Sequence, residues 1–169
     1  SLYQVMKLAK EWFCDQLKEN KGKDACDYLI KDRGFNKTLI EEFELGFAPK
    51  AWDELLTYLT KVQRVPIDLL KEAGLIVARK GGIGFYDRFR NRLIIPINDR
   101  QGRVIGFGGR TLDGSEPKYL NSPETEIFEK GKNLFALDRA STSIRKEDRA
   151  VIVEGYFDVI ALHAAGITN

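Results

Sequence analysis

The chain has 169 residues, 43% of them hydrophobic, and a formal net charge of +2. This length suits one domain, or one domain with part of a second, and the apolar content is enough for a real core. No apolar run approaches the roughly 20 residues that cross a bilayer, and the first residues show no signal-peptide pattern. We therefore expect a folded, cytoplasmic protein without a membrane partner.

Cysteine and histidine are scarce. Cys14 and Cys26 are the two thiols, both fall in predicted helices, and neither belongs to a CxxC motif. They are expected to be ordinary reduced residues, so a zinc site is not predicted. His163, the single histidine, is expected to be a partly buried helix residue and not a ligand.

The first 74 residues are predicted to be helical. Apolar residues recur at helical spacing over residues 2–20, which predicts one amphipathic helix with Trp12 and Phe13 in its buried stripe. Four short helices are expected to follow, each marked by a start or stop signal. Those signals are Gly34 after the second helix, a capping box of Thr38 and Glu41, Trp52 to Leu59, and Pro66 with Gly74 around the fifth.

Beyond Leu75 the pattern changes from helical to extended. Residues 76–78 and 85–86 flank one glycine-rich turn, and residues 92–98 and 104–107 flank a second turn at 99–102, which predicts a small antiparallel sheet. Pro96 has no N–H group to donate to a strand ladder. Its strand is therefore expected to lie at an edge or to contain a bulge.

Glycine is unusually dense at the end of the last predicted strand, in Gly106-Phe107-Gly108-Gly109-Arg110. Such a strand packs poorly by itself, so we expect the glycines to let a ligand or another backbone approach closely and to present Arg110 at the exit. As a phosphate loop the signal is weak, because no GK[ST] follows.

Positive charge is concentrated in one stretch. Residues 79–110 hold eight basic and two acidic residues, a local charge of +6, so the rest of the chain sums to −4. Arginine gathered in a segment rich in glycine and aromatic residues is typical of surfaces that bind phosphate backbones. In the alternative interpretation, Arg88 and Arg90 form ion pairs with the acidic remainder of the chain.

The next segment, residues 117–125, is dense in side chains that suit nucleic acid. Lys118 offers a mobile positive charge, Tyr119 a stacking face and Asn121 an amide that reads base edges or binds phosphate. Phe128 to Lys132 repeats the pairing of aromatic and basic residues. A surface loop with a buried Tyr119 and Phe128 would show the same composition.

The last extended run, Ala150 to Val153, leads into Glu154-Gly155-Tyr156-Phe157-Asp158. A carboxylate at the end of a buried strand, with a second one four residues later, suits a hard metal ion held beside a phosphate. In a purely structural alternative, Glu154 lies near a helix N-terminus and gains roughly 0.3–1 kcal/mol from the helix dipole. One acidic pair specifies no reaction by itself.

Five motifs in one order along the chain resemble the catalytic core of the bacterial replicative DNA primases, the DnaG family. Their order is more specific than any single motif, and the resemblance covers nearly the whole chain, including the helical lead-in. The motifs are Tyr86 to Arg92 with the following Ile95-Pro96-Ile97, Val104 to Arg110, Pro117 to Thr125, Phe128 to Leu134 and Val153 to Val159.

The resemblance implies an α+β fold with a helical N-terminal lead-in, a small antiparallel sheet, and then the first β-strand and α-helix of a Toprim-type α/β fold. It implies two parts: the N-terminal subdomain of the catalytic core, residues 1–146, and the truncated start of the Toprim domain, residues 147–169. Glu154 would be the catalytic acid and a metal ligand, with Asp158 as its metal-binding companion. The metal in the intact protein would be Mg²⁺ or Mn²⁺.

The resemblance also implies a function: a fragment of a DNA-directed RNA polymerase, a nucleotidyltransferase that makes short RNA primers on single-stranded DNA from ribonucleoside triphosphates. The family's later Asp-x-Asp pair, zinc-binding domain and helicase-binding domain match nothing in these residues. The replicative helicase would therefore be a partner only through a domain absent here, and we expect the chain by itself neither to polymerise nor to hold metal tightly. The implied nucleic-acid contacts are Arg88, Arg90, Arg110, Lys118, Tyr119, Asn121 and Lys130.

Two other functions stay open at this point. One is a non-catalytic module that binds single-stranded nucleic acid and keeps the groove without the active site. The other is a different Toprim enzyme, such as a nuclease or topoisomerase relative. The second has less support, because those enzymes share the strand-end Glu but have no reason to contain the motifs at 88–90 and 118–123 in this order.

Overall fold

The computed structural model describes all 169 residues, which form seven α-helices and six β-strands. Helices predominate in the first 74 residues, five strands follow and two helices end the chain, so the predicted α+β class is confirmed. Within the region predicted to be helical, however, residues 46–48 form a strand of the main sheet. The helices are α1 (Leu2–Lys18), α2 (Lys23–Asp27, continued by a π-helical turn Tyr28–Asp32), α3 (Lys37–Glu42), α4 (Glu54–Thr57, continued by Tyr58–Val62), α5 (Ile67–Glu72), α6 (Leu137–Glu147) and α7 (Tyr156–Ala164). The strands are β1 (Gly46–Ala48), β2 (Ile76–Ala78), β3 (Phe85–Asp87), β4 (Arg92–Asn98), β5 (Val104–Thr111) and β6 (Tyr119–Asn121).

A four-stranded antiparallel sheet of order β1-β4-β5-β6 lies at the centre. Strands β4 and β5 form the predicted hairpin, and its turn is closed by Asp99, whose carboxylate accepts hydrogen bonds from the N–H groups of Gln101 at 2.9 Å and Arg103 at 3.0 Å. Strands β2 and β3 pair with each other in a separate two-stranded sheet. The first predicted hairpin is therefore present but stands apart from the main sheet.

Strand β4, which contains Pro96, is an interior strand, so its predicted edge position is wrong. The predicted bulge in β4 is not found either: Pro96 pairs in regular register with Phe107. The register of β4 against β5 shifts one residue later, between Ile97 and Asn98, where Ile105 of β5 is the residue left without a partner.

The two faces of the main sheet bury different helices, because successive residues of a strand point to opposite faces. Ile94 and Phe107 lie in a core with α1, α4 and α5. Leu93 and Ile95 lie in a second core with α2, α3 and α7. The body of α1 and helix α7 therefore cover opposite faces of the sheet.

Apart from strand β1 and from Trp52, which lies before α4, the helical lead-in follows its sequence signals with one exception. Trp12 and Phe13 are buried in α1 as predicted, and Gly34 ends the second helix with φ +70°. The predicted capping box of Thr38 and Glu41 is wrong. Helix α3 already begins at Lys37, and its N-cap is Asn36, whose Oδ1 accepts a hydrogen bond from the Leu39 N–H at 2.8 Å.

The predicted strand at Ala150 to Val153 is not formed. These residues have no regular structure, and the Val151 N–H donates instead to the carbonyl of Asn169 at 2.8 Å. No strand of the chain lies beside this run, so a ladder has no partner, and Ile152 stays largely exposed. The helix expected after it is present as α7. None of the helices combines the length and apolar character that crossing a bilayer requires.

Candidate nucleic-acid interface

Helix α7 is attached to the sheet through Tyr156. The ring of Tyr156 covers Gly108, where a Cβ atom would stand 2.7 Å from Tyr156 Cε2, so the sequence leaves this position without a side chain. The Tyr156 hydroxyl donates a hydrogen bond to Asn121 Oδ1 at 2.8 Å. Burial raises the pKa of Tyr156 to about 12, so the hydroxyl keeps its proton. Because Glu154 lies two residues earlier, this contact also positions the candidate catalytic acid.

The other dense glycines of β5 are likewise covered by rings. A Cβ on Gly106 would stand 3.2 Å from Phe128 Cδ1, and one on Gly109 would stand 2.8 Å from Phe89 Cδ1. The prediction that these glycines admit a ligand or another backbone is therefore wrong. Aromatic side chains of the same chain occupy the space.

One groove of about 570 Å³ brings three of the predicted residues together: Tyr119, Asn121 and Glu154. We call it the acid groove; Gly155 and Tyr156 also line it, and apolar residues such as Leu134 and Val153 form much of its wall. Glu154 is exposed to solvent. The Tyr119 side chain is 39% exposed, and its ring centroid lies 6.3 Å from that of Tyr156. The candidate acid is thus accessible beside an aromatic face.

Asp158 is exposed but does not line the acid groove. Its Oδ2 accepts a hydrogen bond from the Gly155 N–H at 3.1 Å, which stabilises the first turn of α7. No three His, Cys, Asp or Glu side chains of the chain are grouped closely enough to hold a metal ion. Glu154 and Asp158 are therefore two oxygen donors without a third carboxylate partner.

Arg110 lies on the same face of the sheet as Tyr119, because the two residues are directly opposite in the register of β5 and β6. Its guanidinium carbon is 4.7 Å from the centroid of the Tyr28 ring. Arg33 approaches the same ring at 5.5 Å and the Phe157 ring at 4.5 Å. Two guanidinium groups therefore lie near the start of α7, and neither forms an ion pair with a carboxylate.

Sequence reasoning missed Arg33 as a site residue. It was considered only as part of the helical lead-in, because a single arginine beside Gly34 at a helix end is an ordinary C-terminal signal. The approach of Arg33 to Phe157 joins positions that are far apart in the chain. No local pattern reports such a contact.

Arg88 is half-buried and fixed to the main chain. Its Nη2 and Nε donate to the Asn121 carbonyl at 2.8 and 3.2 Å, and burial lowers its pKa. The buried Arg92 acts similarly through Nη1, which donates to the carbonyls of Gly109 at 3.2 Å and Lys118 at 3.3 Å. Neither arginine forms an ion pair. Both therefore hold strand β6 and the residue before it in place.

Arg90 belongs to a second exposed cluster, the Trp52 patch, which consists of Trp52, Arg79, Tyr86 and Arg90. The Arg90 guanidinium carbon lies 3.9 Å from the Trp52 ring centroid and 5.2 Å from that of Tyr86. Trp52 is 57% exposed. Its apolar character predicted a helix residue, but α4 begins only at Glu54. The ion pair considered for Arg90 is replaced by a cation–π contact.

The two predicted lysine contacts lie outside the residues that line the acid groove. Lys118 is exposed directly before β6, and Lys130 is exposed in a short 3₁₀ turn. The backbone N–H of Lys130 donates to Glu124 Oε1 at 3.1 Å, two residues after Phe128, which covers Gly106 near the start of β5. His163 is partly buried on α7 as predicted, with its ring against Phe43 at a centroid distance of 5.3 Å.

The match to known proteins decides the family. Residues 12–141 correspond to the family described as DNA primase catalytic core, N-terminal domain. The chain belongs to this DNA primase family. The resemblance to the DnaG primases is thereby confirmed.

The curated relatives include the DNA primase of Synechococcus elongatus, 58% identical over 99% of this chain and 24% of its own length. The DNA primase of Halalkalibacterium halodurans is 47% identical over 99% of this chain and 28% of its own length. The chain thus spans about a quarter of the length of these primases.

Two solved primase structures share the fold. The RNA polymerase domain of Mycobacterium tuberculosis primase DnaG is 37% identical with a TM-score of 0.91, over 99% of this chain and 54% of that one. A DnaG primase catalytic domain bound to ssDNA is 41% identical with a TM-score of 0.87, over 99% of this chain and 51% of that one. The predicted roles of individual residues stay predictions.

Proposed function

We propose that this part of a DNA primase guides a single-stranded DNA template toward Glu154, where the whole protein joins ribonucleotides into a primer. The observation that carries the proposal is a pair of linked hydrogen bonds that leads from the basic segment to Tyr156, two residues after Glu154. The Arg88 guanidinium donates a hydrogen bond to the Asn121 carbonyl, and the Asn121 side-chain oxygen accepts one from the Tyr156 hydroxyl. Tyr156 in turn fixes the chain two residues after Glu154. Glu154 is exposed and lines the acid groove.

The exposed aromatic and basic residues of the chain suit a strand bound without strong sequence preference. Trp52 and Tyr119 offer exposed aromatic faces, and a base stacked on such a face contributes about 1–3 kcal/mol. Arg90, Arg110 and Lys118 are cations without carboxylate partners, so they remain available to phosphates. The ribonucleoside triphosphates would approach Glu154 from the same groove, and a replicative helicase would bind a segment outside this chain.

The donor set fits a hard divalent cation such as Mg²⁺ or Mn²⁺, because Glu154 and Asp158 offer only carboxylate oxygens and both are exposed. When bound, such an ion would stabilise the negative charge that develops on phosphate oxygens during ribonucleotide joining. Two carboxylates hold it weakly, since Asp158 also accepts a hydrogen bond from Gly155. Glu154, which accepts no hydrogen bond within the chain, would supply the principal ligand.

The isolated chain is therefore expected to bind template without polymerising, which agrees with the single-strand-binding alternative for the fragment alone. No third His, Cys, Asp or Glu side chain joins the two predicted metal ligands, Glu154 and Asp158, which favours template binding without polymerisation. Template-dependent oligoribonucleotide synthesis by the purified chain would contradict it.

A salt titration of single-strand binding tests the proposed route. Fluorescence anisotropy with a labelled oligonucleotide is expected to show weak, salt-sensitive binding, and Arg110→Ala and Lys118→Ala should each reduce the slope of log affinity against log salt by about 0.7. Lys7→Ala is the matched control, because Lys7 is exposed on α1 over the opposite sheet face. Unchanged binding in both Arg110→Ala and Lys118→Ala would remove these residues from the template path.

A further inference from the structure

The tip of the β2–β3 hairpin presents one aliphatic side chain to solvent. Ile83 is fully exposed, and a Cβ added at Gly81 or Gly84 would meet no atom within 4 Å. The Arg79 N–H donates to the Gly84 carbonyl at 3.1 Å and closes the turn, while Gly84 adopts φ +106°. Because a β-branched side chain is stiff at χ1, the closed turn holds Ile83 as an isolated apolar projection.

The same tip carries positive charge and adjoins the Trp52 patch. The Arg79 guanidinium carbon lies 5.7 Å from the Trp52 ring centroid, and the Tyr86 ring lies 5.7 Å from it as well. Lys80 is exposed, and neither Arg79 nor Lys80 forms an ion pair. Residues 78–86 contain no acidic residue. The unpaired positive charge around Ile83 therefore favours binding of a polyanion at this tip.

Building on the template binding proposed above, we infer that this hairpin tip docks at a junction between single-stranded and double-stranded DNA. Ile83 packs against the terminal base pair, and Arg79 and Lys80 contact the adjoining phosphates. Aliphatic side chains act on DNA as wedges at base steps, whereas unpaired bases stack on aromatic rings. The Trp52 patch thus receives the single strand that leaves the duplex.

The inference is tested by comparing the affinity of the chain for two DNA substrates. A duplex with a single-stranded overhang is compared with the overhang strand alone, using fluorescence anisotropy on the wild-type chain and on Ile83→Ser. Loss of one buried isoleucine contact is expected to weaken junction binding by about tenfold and to leave single-strand binding unchanged. Ile83 has no packing role in the fold, so the variant folds normally. A 2-aminopurine in the terminal base pair should change its fluorescence with the wild-type chain and not with Ile83→Ser.

The outcomes separate this inference from the proposed function. If the wild-type chain binds single strands but Ile83→Ser loses no junction affinity, the hairpin inference is wrong and template binding stands. If the wild-type chain binds neither substrate, the proposed function itself fails. The wild-type chain could instead co-sediment with phosphatidylglycerol vesicles and Ile83→Ser fail to do so, while junction affinity is the same for both. That result would assign the tip to an anionic lipid surface and overturn the inference.

Discussion

Gly108→Val is expected to detach the start of helix α7 from the sheet. A Cβ at this position would stand 2.7 Å from Cε2 and 2.9 Å from Cζ of Tyr156, so the ring must leave the site and its hydrogen bond to Asn121 is lost. Overpacking of this kind costs about 1–3 kcal/mol. Urea unfolding should show that loss, and hydrogen exchange should show faster exchange of the α7 amides than of the β4 amides.

Two controls show whether Tyr156 carries this effect. Gly131→Val places the same side chain where a Cβ meets no atom within 4 Å, so its stability should match the wild type. Tyr156→Phe removes only the hydrogen bond of the hydroxyl and should lower the free energy of unfolding by about 1 kcal/mol. Because Asn121→Ala removes the same hydrogen bond, the double variant should lose less stability than the sum of the two single variants. If the α7 amides of Gly108→Val were as well protected from hydrogen exchange as in the wild type, helix α7 would not depend on the packing of Tyr156 against the sheet.

Asp87→Ala is expected to lower the free energy of unfolding by about 2–4 kcal/mol. Asp87 is only 3% exposed, and its two carboxylate oxygens accept hydrogen bonds from the N–H groups of Leu55 and Leu56, both at 2.9 Å. The substitution leaves two N–H groups at the start of α4 without partners. Leu55 follows Trp52 by three residues in the chain, so losing the side-chain anchor of Leu55 and Leu56 should also loosen the Trp52 patch, and single-strand affinity should fall with it.

The same carboxyl makes stability depend on pH. Burial raises the pKa of Asp87 from 3.8 to about 6, so the folded chain binds this proton more tightly than the unfolded chain does. The Asp87 contribution to stability is therefore fully present below pH 3.8 and is lost as pH rises through 6. Between pH 7 and 5 it should add about 1 kcal/mol to the wild type relative to Asp87→Asn. Parallel urea-unfolding stabilities of the two chains across this range would contradict the assignment.

Local signals allowed much of the fold to be predicted. The α1 stripe around Trp12 and the β4–β5 turn at Asp99 depend on residues close together in the chain, so periodicity and turn chemistry report them. The run Ala150 to Val153 has the composition of a strand, but a strand also needs a neighbour to pair with. Composition does not say whether that neighbour exists.

The candidate site shows the same limit. Charge density correctly marked residues 79–110 as basic, but it does not reveal orientation, and Arg88 and Arg92 turn inward to bind carbonyl groups. The glycines of β5 correctly indicated that another group packs closely against the strand. That group is an aromatic ring from elsewhere in the chain, Tyr156 at Gly108 and Phe128 at Gly106. Glu154 was predicted at the end of a buried strand; that strand is not formed, and the side chain is exposed. The partners that position it become visible only in three dimensions.

Disulfide cross-linking measures directly whether a bound strand passes Glu154. Glu154→Cys in a Cys14→Ser, Cys26→Ser background is mixed with a single-stranded oligonucleotide whose phosphate tether ends in a pyridyl disulfide, so that the cysteine thiolate displaces thiopyridone. Lys7→Cys on the opposite sheet face is the control. The expected result is efficient cross-linking at position 154, little at position 7, and loss of the product when unmodified strand competes. Equal yields at the two positions, or a preference for position 7, would contradict a template path that leads to Glu154.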